Sequence, residues 1–173
     1  PIWSAESDEA FAGFGATVAS AGDVNGDGFD DIVVGAPDAT NGEASEGRAS
    51  VYFGSASGPS TAPDWTFESD QAGAAFALSV AGAGDVNGDG YADVAIGAPY
   101  FDAGETNEGR SFVFHGSSAG LSATPAWTAE SDQAFASFGT SIASAGDVDG
   151  DGFSDLVVGA WQYDAGQLNE GRV

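Results

Sequence analysis

Three nine-residue stretches concentrate the groups that could do chemistry in this chain. The first is Asp23-Val24-Asn25-Gly26-Asp27-Gly28-Phe29-Asp30-Asp31, and it recurs at 85–93 and at 147–155. Side-chain oxygens fall at positions 1, 3, 5 and 9 of each copy, with Gly at position 6. A hard cation such as Ca²⁺ takes six to eight oxygens, and a glycine lets the backbone turn sharply around it. The pattern predicts Asp23, Asn25, Asp27, Asp31 and the Phe29 carbonyl as ligands in the first loop. In the second they are Asp85, Asn87, Asp89, Asp93 and the Tyr91 carbonyl; in the third, Asp147, Asp149, Asp151, Asp155 and the Phe153 carbonyl. About three Ca²⁺ ions are therefore expected, one per loop. Carboxylates gathered this closely repel one another unless a cation lies between them.

The flanks exclude an EF-hand, which needs a bidentate Glu at position 12. Val34, Ile96 and Val158 stand there instead, inside short apolar runs closed by Gly35, Gly97 and Gly159 that read as buried strands. The loops are thus expected inside β-hairpins. Trp3, Trp65 and Trp127 share the same spacing as Asp23, Asp85 and Asp147, and so do the Glu-Gly-Arg triplets ending at Arg48, Arg110 and Arg172. One repeat runs the length of the chain.

Within a repeat the pattern predicts four strands: 15–21, 31–36, 48–54 and 65–69, then 77–83, 93–98, 110–116 and 127–131, then 139–145 and 155–160 with a stub at Arg172. Residues 3–7 are expected to form an outer strand of a preceding or ring-closing blade. Four short antiparallel strands per repeat describe a β-propeller blade. The fold expected is all-β: a propeller segment of about three four-stranded blades carrying calcium-binding hairpin loops. Its units are 1–13 (the outer strand of another blade), 14–75, 76–137 and an incomplete blade at 138–173, all in one partial domain. The remaining blades would come from the same parent chain or from another copy, and the chain itself from processing or from a longer protein.

These residues resemble a known family, the FG-GAP repeats of the integrin α-subunit propeller and its bacterial relatives. Phe14-Gly15, the loop at 23–31 and Gly35-Ala36-Pro37 match the signature in full. Ala77 replaces the Gly in the second unit, and Trp161 replaces the Pro in the third. The resemblance implies a propeller, usually seven-bladed in integrins, in which the ions stiffen the blades and ligands bind the opposite face. It also implies an extracellular or cell-surface protein that works by binding.

Charge limits the partners. Twenty-seven acidic residues face three Arg and no Lys, for a net charge of −24. No basic patch exists to displace counterions from nucleic acid or to attract an anionic membrane. No apolar run reaches membrane-spanning length. Cysteine is absent, so disulfides contribute nothing.

Hairpin loops alternate between the faces of a blade, so the loops at 37–46, 99–108 and 161–170 lie opposite the calcium loops. They differ from copy to copy, and Tyr100, Phe101, Trp161 and Tyr163 are candidate contacts for a protein or polysaccharide ligand. Packing between blades is the competing role for these aromatics. The repeated Trp residues are expected to pack between blades, each Arg to pair with a carboxylate, and His115 to be an ordinary strand residue. No nucleophile–base pair or phosphate loop appears, and nearly every repeated acid is already assigned to a metal loop. The chain is read as a non-enzymatic binding or adhesion module. The alternatives are a structural element of a surface or secreted assembly and, less favoured, a glycan-degrading enzyme using two carboxylates.

Overall fold

A computed structural model describes residues 3–173 and shows an all-β chain of ten strands. The first unit contributes β1 (Thr17–Gly22), β2 (Asp31–Ala36), β3 (Arg48–Tyr52) and β4 (Trp65–Glu68). The second repeats it with β5 (Ser79–Gly84), β6 (Asp93–Ala98), β7 (Arg110–Phe114) and β8 (Trp127–Glu130). The third contributes β9 (Phe138–Gly146) and β10 (Asp155–Ala160), with a single antiparallel bridge from Ala160 to Arg172. Each unit is an antiparallel meander in sequence order, β1-β2-β3-β4, β5-β6-β7-β8 and β9-β10. These are propeller blades. Among the described residues no helix is long and apolar enough to cross a membrane.

The blades stack through their faces, which explains the apolar runs. β6 is buried along its whole length because the second blade has a neighbour on both sides, and β2 is nearly so, covered by the second blade and by the segment around Ala12 and Phe14. One cluster spans the first two blades, joining Val33, Val51 and Ala49 to Phe76, Val94, Ile96, Phe112 and Phe114. A chain of aromatic contacts runs through it. Trp65 meets Phe114 edge-on at 4.9 Å, Phe67 lies 4.8 Å from Phe114, and Phe76 meets Phe112 at 5.3 Å. Each such pair adds about 0.5–1.5 kcal/mol beyond the area it buries. Trp65 packs between blades as expected, its indole N–H donating to the Ser122 carbonyl of the next blade at 3.0 Å, whereas Trp127 is 48% exposed.

Residues 3–7 depart from expectation. They form no strand; only residues 1 and 2 of the expected outer-strand segment lie outside the described residues. Trp3 nevertheless docks on the first blade as Trp65 docks on the second, with its indole N–H on the Ser60 carbonyl at 2.9 Å and its ring edge-on to Tyr52. The side chain is seated, but the backbone there lacks the ladder partner a strand requires. The inner strands also begin slightly later than periodicity suggests: β1 starts at Thr17 and β5 at Ser79.

Two of the three Arg form the expected ties. Arg48 donates to Glu68 at 2.5 Å, and Arg110 pairs with Glu130, each joining the third strand of a blade to the fourth. Arg172 differs. Its guanidinium donates to the Tyr163 hydroxyl at 3.0 Å and lies over the Tyr163 ring.

Candidate metal loops and the opposite face

Each nine-residue loop closes the hairpin between the first two strands of its blade. The loop is wound by its own acids. Asp23 Oδ1 accepts the amides of Gly26 at 2.7 Å and Asp27 at 3.0 Å, while Oδ2 accepts Gly28 at 2.8 Å. Asn25 Oδ1 accepts Asp27 N–H, and Asp27 Oδ1 accepts Phe29 N–H, both at 2.9 Å. The second loop repeats the pattern through Asp85, Asn87 and Asp89. The third does so through Asp147, Asp149 and Asp151. These bonds turn the side-chain oxygens of positions 1, 3 and 5 inward. In the third loop one oxygen each from Asp147, Asp149 and Asp151 lies within 4.8 Å of the other two, a spread that one ion at 2.3–2.6 Å from each can bridge.

Position 9 plays a different part. Asp31 and Asp93 are buried at the start of β2 and β6. Asp93 Oδ2 accepts Val86 N–H and Oδ1 accepts Gly116 N–H, each at 2.9 Å. Asp31 holds Val24 and Gly54 in the same way. Position 9 therefore ties the hairpin loop to the turn that follows the third strand. An ionised carboxylate has about four acceptor sites, so capacity remains for a cation. Burial raises the Asp31 pKa against the opposing pull of its Gly54 and Val24 hydrogen bonds, and the charges of Asp27 and Asp23 push it further up. Burial likewise raises Asp93, opposed by its two backbone donors and by His115. For Asp85 burial also acts upward, but the amides of Gly90, Gly88, Asp89 and Asn87 together outweigh it and lower the pKa. The chemistry such an arrangement of oxygens makes available is the binding of a hard cation.

The loops also touch one another, which spacing alone does not reveal. Ala92 N–H donates to the Asp23 carbonyl at 3.0 Å, and Ser154 N–H to the Asp85 carbonyl at 2.9 Å. The aromatic at position 7 lies on the glycine at position 4 of the preceding loop. A Cβ on Gly26 would sit 2.6 Å from Tyr91 Cε1, and one on Gly88 2.5 Å from Phe153 Cε1.

On the opposite face the candidate contact residues separate into two kinds. Phe101 packs against the core, edge-on to Phe112, with Arg110 over its ring at 4.8 Å. Tyr163 is half-buried beneath Arg172. Tyr100 and Trp161 stand out, 44% and 58% exposed. Sequence reasoning overlooked two further aromatics, Phe11 and Phe135, which are 96% and 57% exposed. Both have left-handed backbones, at φ 64° and 63°, where a bulky non-glycine residue is an outlier. Their counterpart in the connection between the first two blades is Gly73. A Phe standing where the fold wants glycine was the available signal. Phe135 N–H is held by the Thr106 carbonyl, and the adjacent Ala136 carbonyl accepts Gln162 N–H, so Phe135 and Trp161 belong to one region.

Comparison with known proteins agrees with this geometry. The FG-GAP repeat profile matches residues 14–52, 76–114 and 138–173. The chain is 38% identical over 164 residues to Integrin alpha-PS2 of Drosophila melanogaster, covering 87% of this chain and 12% of that protein. It is 37% identical over 170 residues to Integrin alpha-5 of Xenopus laevis, covering 92% and 16% respectively. With Integrin alpha-IIb of Homo sapiens the figures are 38% over 162 residues, 90% of this chain and 15% of the relative. The chain thus spans less than a fifth of the length of these relatives.

Proposed function

Because this chain belongs to the FG-GAP repeat family, as an integrin alpha-type propeller segment, we propose that it is an extracellular calcium-binding adhesion module. Ca²⁺ at 23–31, 85–93 and 147–155 fixes the hairpin loops, and through them the stacking of blades. Coordination is by the side chains of positions 1, 3, 5 and 9 and the position 7 carbonyl. The remaining blades are supplied by the parent chain or by another copy, and the unit boundaries at 14, 76 and 138 are those of the repeat. The module recognises its ligand and does not transform it.

The observation that carries the binding role is the set of exposed aromatics opposite the metal loops: Tyr100, Phe135 and Trp161. Large aromatics on a rigid scaffold bury much area at little conformational cost, and Tyr and Trp dominate binding hot spots. Their surroundings are acidic, so a protein ligand with basic and apolar groups fits better than an anionic glycan. Phe101 and Tyr163 support the face from behind. The test is to probe arrays of secreted proteins and neutral polysaccharides with the calcium-loaded chain and with a Tyr100→Ala/Phe135→Ala/Trp161→Ala variant. Capture of a protein that the variant loses, at unchanged melting temperature, supports the reading. Capture that survives all three substitutions would move the contact to the blade edges and favour an assembly role.

A further inference from the structure

A second cluster of acids lies outside the metal loops, on the opposite face. Glu46 ends the loop between β2 and β3, Glu68 ends β4, and Asp70 opens the connection to the second blade. One carboxylate oxygen from each lies within 4.8 Å of the other two. Burial runs from Glu46, 1% exposed, through half-buried Glu68 to exposed Asp70, so the cluster opens to solvent on one side.

Glu46 supplies an independent observation. Its Oε1 accepts the Asn41 amide at 2.6 Å, but its Oε2 is buried without any hydrogen-bond partner. A buried carboxylate oxygen left unpaired is costly, and the usual remedies are a donor, an ion or a water molecule. Among the described residues no donor bonds to it. Asn41 makes the crowding worse: its amide N–H holds Glu46 while its side-chain Nδ2 donates to Glu68 Oε2 at 2.8 Å. One residue thus draws two carboxylates together. In the second unit Ala103 stands in place of Asn41, and the Glu108 carboxyl instead takes the Ala103 and Glu105 amides through Oε1. The corresponding Glu108, Glu130 and Asp132 do not gather, although all three residue types recur.

We propose that Glu46, Glu68 and Asp70 form a site for a hard divalent cation, Ca²⁺ or Mg²⁺, on the face opposite the hairpin loops. The donor set is all oxygen, which suits these ions and not zinc or copper. Arg48, bonded to Glu68, offsets one of the three charges and leaves a local excess that a divalent ion balances. Glu68 gives one hydrogen-bond site to Arg48 and one to Asn41, so both its oxygens retain a lone pair. The ion would tie the β2–β3 loop to the connection between blades, where Glu46 already holds Phe76 N–H and Ser69 Oγ through its backbone carbonyl. The site does not depend on the hairpin ions.

The test counts ions. The parent chain, Glu46→Gln, Asp70→Asn and Asp151→Asn are each equilibrated with Ca²⁺, and in a second series with Mg²⁺, and weighed by native mass spectrometry. Glu46→Gln keeps an oxygen for the Asn41 amide, and Asp70 is exposed, so these variants retain the loop. The expected result is one ion fewer than the parent in both, with Mn²⁺ broadening of the Asn41 and Asp70 amide resonances lost while that of the hairpin loops persists. Asp151→Asn should leave the Asn41 and Asp70 broadening intact. If the hairpin reading is wrong but this one is right, the parent holds one ion and Glu46→Gln none. An unchanged count in both variants, or no broadening at Asn41 and Asp70 in the parent, overturns the proposal and leaves water or a proton as the partner of Glu46 Oε2.

Discussion

Substituting Asp93 by Asn separates its two duties, hairpin tie and metal ligand. The carboxylate accepts Val86 N–H on one oxygen and Gly116 N–H on the other, both at 2.9 Å in a fully buried position. An Asn carries one acceptor oxygen, so one of these amides would face an NH₂ group. Leaving a buried donor unpaired costs about 1–3 kcal/mol. Relief of the carboxylate's own burial, the cause of its raised pKa, pulls that cost toward the lower end. Calcium adds a further term. At about 100 times Kd an ion bound only to the folded state contributes about 2.7 kcal/mol, which a variant unable to hold it forfeits. The expected destabilisation is therefore about 1–2 kcal/mol in chelator, rising by about 2.7 kcal/mol in calcium. Urea unfolding at matched ionic strength, with equal m-values for parent and variant, reads both. An equal loss in the two conditions would refute the ligand role and leave Asp93 as a tie only.

Acid titration should separate the same two states by sign. Without metal, the raised pKa values of Asp31 and Asp93 mean the folded chain holds protons more tightly than the unfolded one, so stability falls as pH rises from the ordinary carboxylate value through the raised ones. Asp85, with its lowered pKa, acts oppositely but below that window. In millimolar Ca²⁺ the ion competes with the protons and stability should instead rise with pH across the window; the same slope in both conditions would contradict the loop assignment. Gly109→Ala should cost about 2–5 kcal/mol, since its φ of 81° is left-handed and a Cβ would run into the Phe138 backbone of the next blade. Hydrogen exchange should place that loss at 136–140, and an unaffected second–third blade contact would count against the stacking described. Tyr91→Ala removes a ring but keeps the ligating carbonyl of its own loop; because the ring rests on Gly26, calcium affinity at 23–31 should fall several-fold, read by titration of chains in which only that loop is intact.

Much of this was legible because the repeat makes errors visible. A single loop of Asp, Asn and Gly is an ordinary turn signal. Three copies in one register, each followed by an apolar run of strand length, specify the hairpins and the blade order. What escaped depends on which side chain or backbone group stands opposite a residue in the folded blade, which periodicity does not specify. Trp3 resembles Trp65 in side-chain seating, yet strand formation at 3–7 depends on a backbone partner that no local pattern encodes. Arg172 carries the same triplet as Arg48 but meets Tyr163. Phe101 and Tyr100 are neighbours with the same composition signal, and only the position of Arg110 and Phe112 decides that one packs inward and the other faces solvent.

The difference between the two faces follows from how each meets its neighbour. On the face of the hairpin loops a loop meets the next through backbone, Ala92 N–H on Asp23 and Ser154 N–H on Asp85, and also through side chains: the ring of Tyr91 on Gly26, the ring of Phe153 on Gly88. Any change in one loop must therefore suit the loop beside it, and the tie from Asp93 to Gly116 extends the demand to the following turn. Three nearly identical loops are what such a constraint produces. On the opposite face the blades meet through backbone: Gly73 N–H on Ala44, Phe76 N–H on Glu46, Phe135 N–H on Thr106, Phe138 N–H on Glu108. Those bonds fix where the chain runs, while one repeat position is filled by Pro37 and Pro99, both buried, and by Trp161, which is exposed. A surface whose backbone is held by bonds between blades is a rigid place from which loop side chains can differ.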